Sequence, residues 1–366
     1  MTLAILGIGT AVPDTVLPQT DALEIARALC RPTDEQATWL PSMYQGTGIK
    51  ARQLAFGADV VRDVLQGTNH SGSPFVPRGV PGERGPTTGQ RMDHYAALAP
   101  PLALQAARGA LDRSGVAPRE LTHLVTVSCT GFVAPGIDLA LILGLGLGPT
   151  IQRTHVGYMG CHGALNGLRV AHAFAAAEPE ARVLLCAVEL CSLHYHYDWN
   201  PSKMIANAIF GDGAAALVGA AAAPDGEWRV AATGSCLIPN SADAMTWTIR
   251  DHGFEMTLAK RVPALIATHL RPWLEDWLAS HGVALADVGS WAVHPGGPRI
   301  LDAVEEALSL PRAATATSRA VFADHGNMSS PTLLFIVDRL RAACAPRPCV
   351  ALGFGPGLMA EAVLFQ

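Results

Sequence analysis

The chain alternates short apolar segments with longer helical ones, reading LTHLVTV at 121–127, GIDLALILGL at 136–145, IQRTHV at 151–156, CHGALNGLRVAHAFAA at 161–176 and VLLCAV at 183–188. The first, third and fifth segments are short and rich in branched apolar residues, which is typical of buried strands. The two segments between them are long enough for helices. Strands that alternate with helices predict an α/β fold with buried sheets.

The same alternation continues on both sides of this stretch. Upstream, Leu3–Ile8 is predicted to form a strand. Downstream, Trp228–Leu237 is predicted to form a strand and Met328–Ala342 a helix. A chain of 366 residues is long enough for about two domains. We therefore predict an N-terminal half at residues 1–226 and a C-terminal half at residues 227–366.

The two halves show signs of an internal repeat. Cys161 begins a predicted helix in the first half, and Asn327 begins one 166 residues later. Ser128 and His294, each at the end of a predicted strand, are separated by the same interval. A duplicated α/β core is a plausible reading of this spacing.

Composition and charge exclude several classes of protein. The chain is 49% hydrophobic and 16% charged, with a net charge of −5, which argues against a general nucleic-acid binder. Its first residues lack the basic region of a signal peptide, and no apolar run is long enough to cross a bilayer. The eight cysteines do not have the spacing of a small secreted domain. These observations predict a cytoplasmic protein with reduced cysteines and neither a nucleic-acid nor a membrane partner.

Three separated residues carry the chemistry. Cys161 follows a glycine at a predicted helix start, where unpaired N–H groups and the helix dipole favour a thiolate. His294 ends a predicted strand just before Pro-Gly-Gly, and Asn327 stands at another predicted junction. A thiol, an imidazole and an amide are the parts of a covalent acyl-transfer site.

Each of these residues also has a structural alternative. A cysteine in this context is a common buried core residue, and a histidine at the end of a strand is often structural. Asn327 by itself could be a helix N-cap. His194 and His196 alternate with aromatic residues and could suggest a metal site, but no second cluster has ligand spacing, so lining of a cavity is the better interpretation.

Other protein classes remain as alternatives. Cysteine, histidine and asparagine occur in the same chain order in papain-like proteases. That class would predict a secreted chain with disulfides and a cysteine near the mature N-terminus, and the sequence shows neither feature. A binding protein with an inactive site is the remaining alternative, and thiol labelling of Cys161 would separate it from an enzyme.

Several motifs together resemble one family, and they span nearly the whole chain. They are AILGIGTA (4–11), GC (160–161), FGDGAAA (210–216), VHPGGP (293–298), GNMSS (326–330) and GFGPGL (353–358). On these motifs the chain resembles the type III polyketide synthases, the chalcone-synthase-like branch of the thiolase superfamily. The resemblance implies a homodimer whose subunits have a thiolase-like fold with a duplicated, five-layered αβαβα core.

The resemblance also implies an activity. Cys161 would be the nucleophile, with His294 and Asn327 as its partners. The reaction would be an iterative decarboxylating Claisen condensation of malonyl-CoA onto an acyl-CoA starter, followed by cyclisation to an aromatic or pyrone product. No metal or redox cofactor would be needed. The alternative within the superfamily is a single condensation on a carrier protein, as in ketoacyl-carrier-protein synthase III. That reaction should need a basic docking patch, and none is obvious in the sequence.

The resemblance further assigns cavity and substrate positions. Phe210 matches the family's gatekeeper phenylalanine, and the second gatekeeper falls on Met256. Cys129, Cys191 and His194 stand where the plant enzymes have threonines, and Ala134 replaces a methionine that crosses the dimer interface in them. The remaining residues predicted to bind substrate are Lys50, Arg52, Gly296, Gly297, Phe354 and Gly355.

Two hints about the product conflict. A cysteine at position 129 is reminiscent of bacterial tetrahydroxynaphthalene synthases. The stretch GPTTGQRM at 85–92 is instead similar to bacterial alkylresorcinol and alkylpyrone synthases. Both product classes therefore stay open at this point.

Overall fold

The computed structural model describes residues 2–366. Within this range the chain forms thirteen strands, which are β1 (Leu3–Ala11), β2 (Thr15–Pro18), β3 (Ala51–Leu54), β4 (His123–Ser128), β5 (Gln152–Gly157), β6 (Arg182–Leu190), β7 (Asp212–Ala220), β8 (Arg229–Leu237), β9 (Met245–Arg250), β10 (Gly253–Leu258), β11 (Ser290–Val293), β12 (Cys349–Gly355) and β13 (Met359–Phe365). It also forms twelve α-helices, which are α1 (Gln19–Cys30), α2 (Asp34–Ala37), α3 (Leu40–Gln45), α4 (Ala58–Gln66), α5 (Thr88–Ser114), α6 (Ile137–Leu145), α7 (Gly163–Ala177), α8 (Pro201–Ile209), α9 (Val262–Ser280), α10 (Pro298–Leu308), α11 (Ala316–His325) and α12 (Pro331–Ala342).

Nine strands form two sheets that are joined edge to edge. The continuous order is β11-β12-β13-β8-β1-β7-β6-β4-β5. The halves meet only between β1 and β8, where Leu3 lies opposite Val230 and Ala4 opposite Arg229. β4 and β6 are parallel, as are β11 and β12, and the next two pairings in each half are antiparallel. The duplicated topology is thus confirmed, with β5 as an extra edge strand in the first half. The boundary predicted at residue 226 falls between β7 and β8 and stays a prediction.

The sheets and helices stack in five layers, because the side chains of each strand alternate between two faces. In β6, Leu184 and Cys186 pack against the outer helices α5 and α6, whereas Val183 and Leu185 face the centre. The central layer consists of α7 and α12 between the two sheets, and α9 and α10 cover the outer face of the second sheet. The αβαβα order is therefore confirmed. No helix within the described range is long and apolar enough to span a membrane.

Both central helices begin later than the sequence suggests. α7 begins at Gly163 rather than at Cys161, and α12 at Pro331 rather than at Met328. The residues just before them cannot be helical, since Gly160 has φ of 81° and Ser329 has φ of 57°. Cys161 and Asn327 therefore lie in the bends that precede the helices, where their side chains are free to point across the central layer.

Candidate active site

Cys161 lies in a sharply bent connection between β5 and α7. Tyr158 and Gly160 both have positive φ, and a Cβ on Gly160 would come within 2.4 Å of Pro356 Cδ, so this position requires glycine. The Gly160 N–H donates to Cys129 Sγ at 3.0 Å, which fixes the bend. The thiol of Cys161 lines an enclosed, mostly apolar cavity.

The backbone of Asn327 is locked to the segment that carries the predicted gatekeeper Phe210. The two residues form an isolated parallel β-bridge. The Asn327 N–H donates to Ile209 O at 2.8 Å, and the Gly211 N–H donates to Asn327 O at 3.0 Å. This bridge joins the first half of the chain to the second at the site itself.

The side chain of Asn327 points toward the thiol. Its Oδ1 accepts the Ser329 N–H at 2.7 Å, which determines the orientation of the amide. Its Nδ2 then lies 3.9 Å from Cys161 Sγ. The N-cap alternative does not hold, because the helix begins four residues later, at Pro331. The amide is therefore available as a hydrogen-bond donor beside Cys161.

His294 follows β11 and is almost completely buried. Its N–H donates to Leu352 O at 2.8 Å. Within residues 2–366, neither of its ring nitrogens has a hydrogen-bond partner. Burial, and the repulsion that a proton on His162 would add, lower the pKa of His294 to about 3, and the adjacent Asn327 only partly offsets this.

Burial also raises the pKa of the Cys161 thiol to about 11. Burial thus favours a neutral thiol and a neutral imidazole, rather than the thiolate inferred from the helix dipole. That inference is weakened because α7 begins at Gly163. A thiolate at Cys161 therefore needs a partner that takes the proton, and a positive charge nearby that opposes the cost of burying the negative one.

The structure brings five of the predicted cavity residues together around the thiol. The cavity that contains Cys161 is also lined by Cys129, Cys191, His194, Phe210 and Met256. Sequence reasoning missed two large aromatic residues of the same wall, Trp247 and Phe254. They belong to the hairpin of β9 and β10, which was not predicted as strands; its alternating polar and apolar residues were the available signal.

His194 is a structural part of the cavity wall. Its Nε2 donates to Thr130 O at 2.6 Å, its Nδ1 accepts the Phe254 N–H at 3.0 Å, and its ring stacks on that of Phe254 with centroids 4.1 Å apart. Both nitrogens are therefore occupied. Among the described residues, no group of three or more potential ligand side chains converges as a metal site would require.

Three predicted substrate positions lie elsewhere. Phe354 faces the buried core under α9 and α10, because alternation along β12 turns it away from the central layer. Ala134 is exposed on a separate depression of the surface. Gly355 contacts His162, and a Cβ there would come within 2.4 Å of His162 Nε2. The prediction that Phe354 lines the cavity is therefore wrong, whereas that for Ala134, which concerns the interface between subunits, stays a prediction.

The two basic residues predicted to bind substrate, Lys50 and Arg52, do not lie together at the cavity. Arg52 is fully buried, and its Nη1 donates to Asn207 O at 2.7 Å and to Phe210 O at 2.9 Å. It thus supports the gatekeeper backbone and does not face a ligand. Lys50 is exposed but lines none of the cavities near the site.

Gly296 and Gly297 line a second, more open cavity. Lys260 and Arg299 stand on its rim, and Ile209, adjacent to the gatekeeper, lies in its wall. The helix α10 begins here at Pro298 and directs its N-terminus toward this opening. Positive side chains and a helix N-terminus form a suitable environment for an anionic ligand.

A buried carboxylate, missed in the sequence, organises the floor of the site. Glu189 lies next to the end of β6 and accepts hydrogen bonds from the N–H groups of Cys129 and Thr130, from Thr130 Oγ1 at 2.7 Å and from Ser330 Oγ at 2.6 Å. Burial raises the pKa of Glu189, and these donors oppose the rise. It holds the loop of Cys129 against the start of α12. The available signal was an isolated acid in the apolar run VLLCAVEL.

Comparisons with known proteins agree with this geometry. Residues 2–223 match the N-terminal domain of chalcone and stilbene synthases, and residues 229–366 match the C-terminal domain. The chain is 32% identical to a 1,3,6,8-tetrahydroxynaphthalene synthase of Streptomyces peucetius subsp. caesius, over 99% of this chain and 93% of that protein. It is 31% identical to an alpha-pyrone synthesis polyketide synthase-like protein, Pks18, of Mycobacterium tuberculosis, over 100% of this chain and 91% of that one.

Solved structures show the same fold over the whole length. PKS-I from the brown alga Ectocarpus siliculosus superposes with a TM-score of 0.86 at 30% identity, covering 100% of this chain and 98% of that one. The C-terminal type III polyketide synthase domain of Steely1 from Dictyostelium superposes with a TM-score of 0.88 at 27% identity, covering 100% and 99%. The chain therefore belongs to the chalcone and stilbene synthase family and is a type III polyketide synthase, an acyltransferase.

Proposed function

We propose that the chain elongates a CoA-linked starter by iterative decarboxylating condensation with malonyl-CoA, using Cys161 as the nucleophile. The observation that carries this proposal is the Cys161 thiol at the wall of an apolar cavity, with the Asn327 amide directed at it. Incubation with malonyl-CoA, alone and with acyl-CoA starters of several lengths, tests it. Release of CO₂ with products extended more than once is the expected result, whereas a single condensation would support the carrier-protein alternative.

Loading of the starter begins with proton transfer from Cys161 to His294. The sulfur then attacks the thioester carbonyl of acyl-CoA, and the C–S bond to CoA breaks. His294 returns its proton to the departing CoA thiolate, so the site becomes neutral again. The buried, unpartnered imidazole of His294 is suited to this exchange, because burial leaves it neutral and able to accept a proton.

Extension then uses the Asn327 amide as the donor to the malonyl thioester oxygen. Loss of CO₂ cleaves the carbon–carbon bond and places its electron pair in an enolate, whose oxygen gains negative charge beside the fixed Asn327 N–H. The enolate carbon attacks the acyl group on Cys161, and the sulfur leaves. The lengthened chain must return to Cys161 before each further round.

We also propose that CoA occupies the open cavity beside Gly296 and Gly297. Lys260 and Arg299 stand on its rim, where they can hold the CoA phosphates, whereas Lys50 and Arg52 do not line this cavity. Ile209 lies in the wall of this opening and Phe210 in that of the inner cavity, so the gatekeeper stands between the two spaces. The thioester end of a bound acyl-CoA could thus reach Cys161 while the CoA phosphates stay in the open cavity.

Reversing the charge of Arg299 or Lys260 tests the location of CoA. Arg299→Glu and Lys260→Glu are each expected to raise KM for malonyl-CoA about tenfold, since one charge-assisted contact contributes about 1.5 kcal/mol. Steady-state kinetics of CO₂ release would measure this. Arg119→Glu, at an exposed site that does not line the opening, is the matched control. Equal KM values in all three variants would place CoA elsewhere.

The side chain at position 256 is proposed to limit the length of the product. Met256 packs against the gatekeeper cluster, and an unbranched methionine adapts its shape more readily than an aromatic ring. Met256→Phe is expected to shift products toward fewer extensions or shorter starters, with loading of Cys161 retained. Product masses across a series of acyl-CoA lengths would measure this shift. Thr257→Val, on the exposed face of the same strand, should leave the profile as it is. A Met256→Phe profile identical to that of the parent enzyme would show that Met256 does not limit the length of the product.

We propose that the product contains an aromatic or a pyrone ring. It is supported by the names of the two bacterial relatives, a tetrahydroxynaphthalene synthase and an alpha-pyrone synthesis protein, at 32% and 31% identity.

We also propose a homodimer. β5 is an edge strand with much of its length exposed, and Phe132 beside Ala134 is 54% exposed, which together form a surface suited to a second copy.

A further inference from the structure

The residue after the nucleophile is a second buried histidine with an unused nitrogen. His162 is 1% exposed, and its Nδ1 lies 2.7 Å from Asn166 Oδ1. An amide oxygen only accepts hydrogen bonds, so Nδ1 carries the proton and Nε2 is left as a bare acceptor. Among the residues that the structure describes, Nε2 has no donor.

His162 lies beside His294 because of the register of β11 and β12. Val293 pairs with Leu352, so His294 and Gly353 are the next neighbours along the two strands. A Cβ at Gly353 would approach His162 Cβ to 3.0 Å, which shows that His162 occupies the space that this glycine leaves open. Ala292 and Ala351 face the central layer, and a period of two places His294 and Gly353 on the same face.

Within residues 2–366, each imidazole has an unpaired hydrogen-bonding group: a donor N–H in His294 and an acceptor nitrogen in His162. A neutral His294 carries one ring N–H, and neither of its nitrogens has a partner within the described chain. A buried donor without an acceptor costs about 1–3 kcal/mol, and so does the buried acceptor of His162. A proton on His162 would lower the pKa of His294, in keeping with the placement of both rings beside Gly353.

We propose that His162 is a positioning residue for His294: its Nε2 accepts the His294 N–H, directly or through one water, and leaves the other ring nitrogen of His294 free to take the Cys161 proton. This inference rests on the proposed function of Cys161 and His294. It follows the general pattern in which a catalytic base is held in one tautomer by a third group. Asn166 supports the unit by fixing the tautomer of His162.

The neighbouring charges predict how the unit responds to pH. Besides His294 and Cys161, the charged groups close to His162 are Glu361 on β13 and Arg169 on α7, which form an ion pair. Burial lowers the pKa of His162, so its Nε2 remains a free acceptor at neutral pH. In acid, Nε2 gains a proton, ceases to accept and repels a protonated His294. Reactivity of Cys161 should therefore fall on the acid side.

The test measures alkylation of Cys161 by iodoacetamide as a function of pH, read by intact mass. His162→Phe removes the acceptor and is expected to slow alkylation at neutral pH about tenfold or more. His162→Gln supplies an amide oxygen that cannot titrate in this range, so it should restore most of the rate and shift or abolish the acid limb. His172→Gln, on the helix α7 that follows His162, is the control and should leave the rate and its pH profile unchanged.

The outcomes separate this inference from the proposed function. Folding is checked for each variant by its melting temperature. A folded His162→Phe protein with the parent's alkylation profile, or a His162→Gln protein as slow as His162→Phe, would overturn the role of His162 alone. If His294→Ala also left the rate and pH profile of Cys161 alkylation as they are, the proposed Cys161–His294 pair itself would fail.

Discussion

Cys161→Ala is expected to form no polyketide from malonyl-CoA and acyl-CoA, a loss of activity of at least about 1000-fold. The variant lacks the sulfur to which the proposed mechanism attaches the acyl chain as a thioester. The intact protein should also gain no acyl mass after exposure to the starter. The cavity contains two other thiols, those of Cys129 and Cys191, so the mass measurement is needed to identify the nucleophile.

A matched control separates chemistry from packing. Cys186→Ala removes a thiol of equal size from the buried first sheet, away from the cavity, and should keep most of the activity. Both of the other thiols in the cavity are more deeply shielded than Cys161. Burial raises the pKa of each well above its ordinary value. An acyl adduct that persists in Cys161→Ala would assign the nucleophile to one of them.

Asn327→Ala is expected to release CO₂ from malonyl-CoA about 100- to 1000-fold more slowly, while Cys161 is still acylated by the starter. An amide donates a hydrogen bond to the enolate oxygen but does not act as a base, so its loss should affect decarboxylation more than loading. The measurement pairs CO₂ release with intact mass after exposure to starter alone.

Asn327→Asp is the sharper variant. Its carboxylate keeps the volume of the side chain and still accepts the Ser329 N–H, but it lacks the donor that lies 3.9 Å from Cys161 Sγ. It should therefore be at least as impaired in decarboxylation as Asn327→Ala. Normal CO₂ release from Asn327→Asp would show that the donor is not what the reaction uses.

The layered α/β fold could be predicted from the sequence because strand-like apolar segments alternate regularly with helical segments. Buried strands such as VLLCAV stand out by composition, and the interval of 166 residues between Ser128 and His294 reflects the correspondence of β4 with β11. Helix starts were less accurate. Whether Cys161 lies in a helix or before it depends on the positive φ of Gly160, and that conformation is imposed by packing against Pro356.

The surroundings of the site residues were harder to predict than which residues form the site. Arg52 was predicted to bind substrate, yet it is fully buried and hydrogen-bonded to backbone carbonyls. Its contacts are with residues more than 150 positions away, which no local pattern encodes. Glu189 escaped notice for the same reason, since its donors come from two distant segments. The protonation states of Cys161 and His294 likewise depend on burial by the whole fold.

The bridge between Phe210 and Asn327 limits how such an enzyme can change its substrate range. Because the backbone at the gate is hydrogen-bonded to the backbone of the catalytic amide, displacing one strand segment would misplace the other. Only rotation or replacement of the Phe210 ring leaves the amide undisturbed. New specificities should therefore accumulate as exchanges of single side chains around a rigid frame. Insertions at this point should instead cost the chain its chemistry.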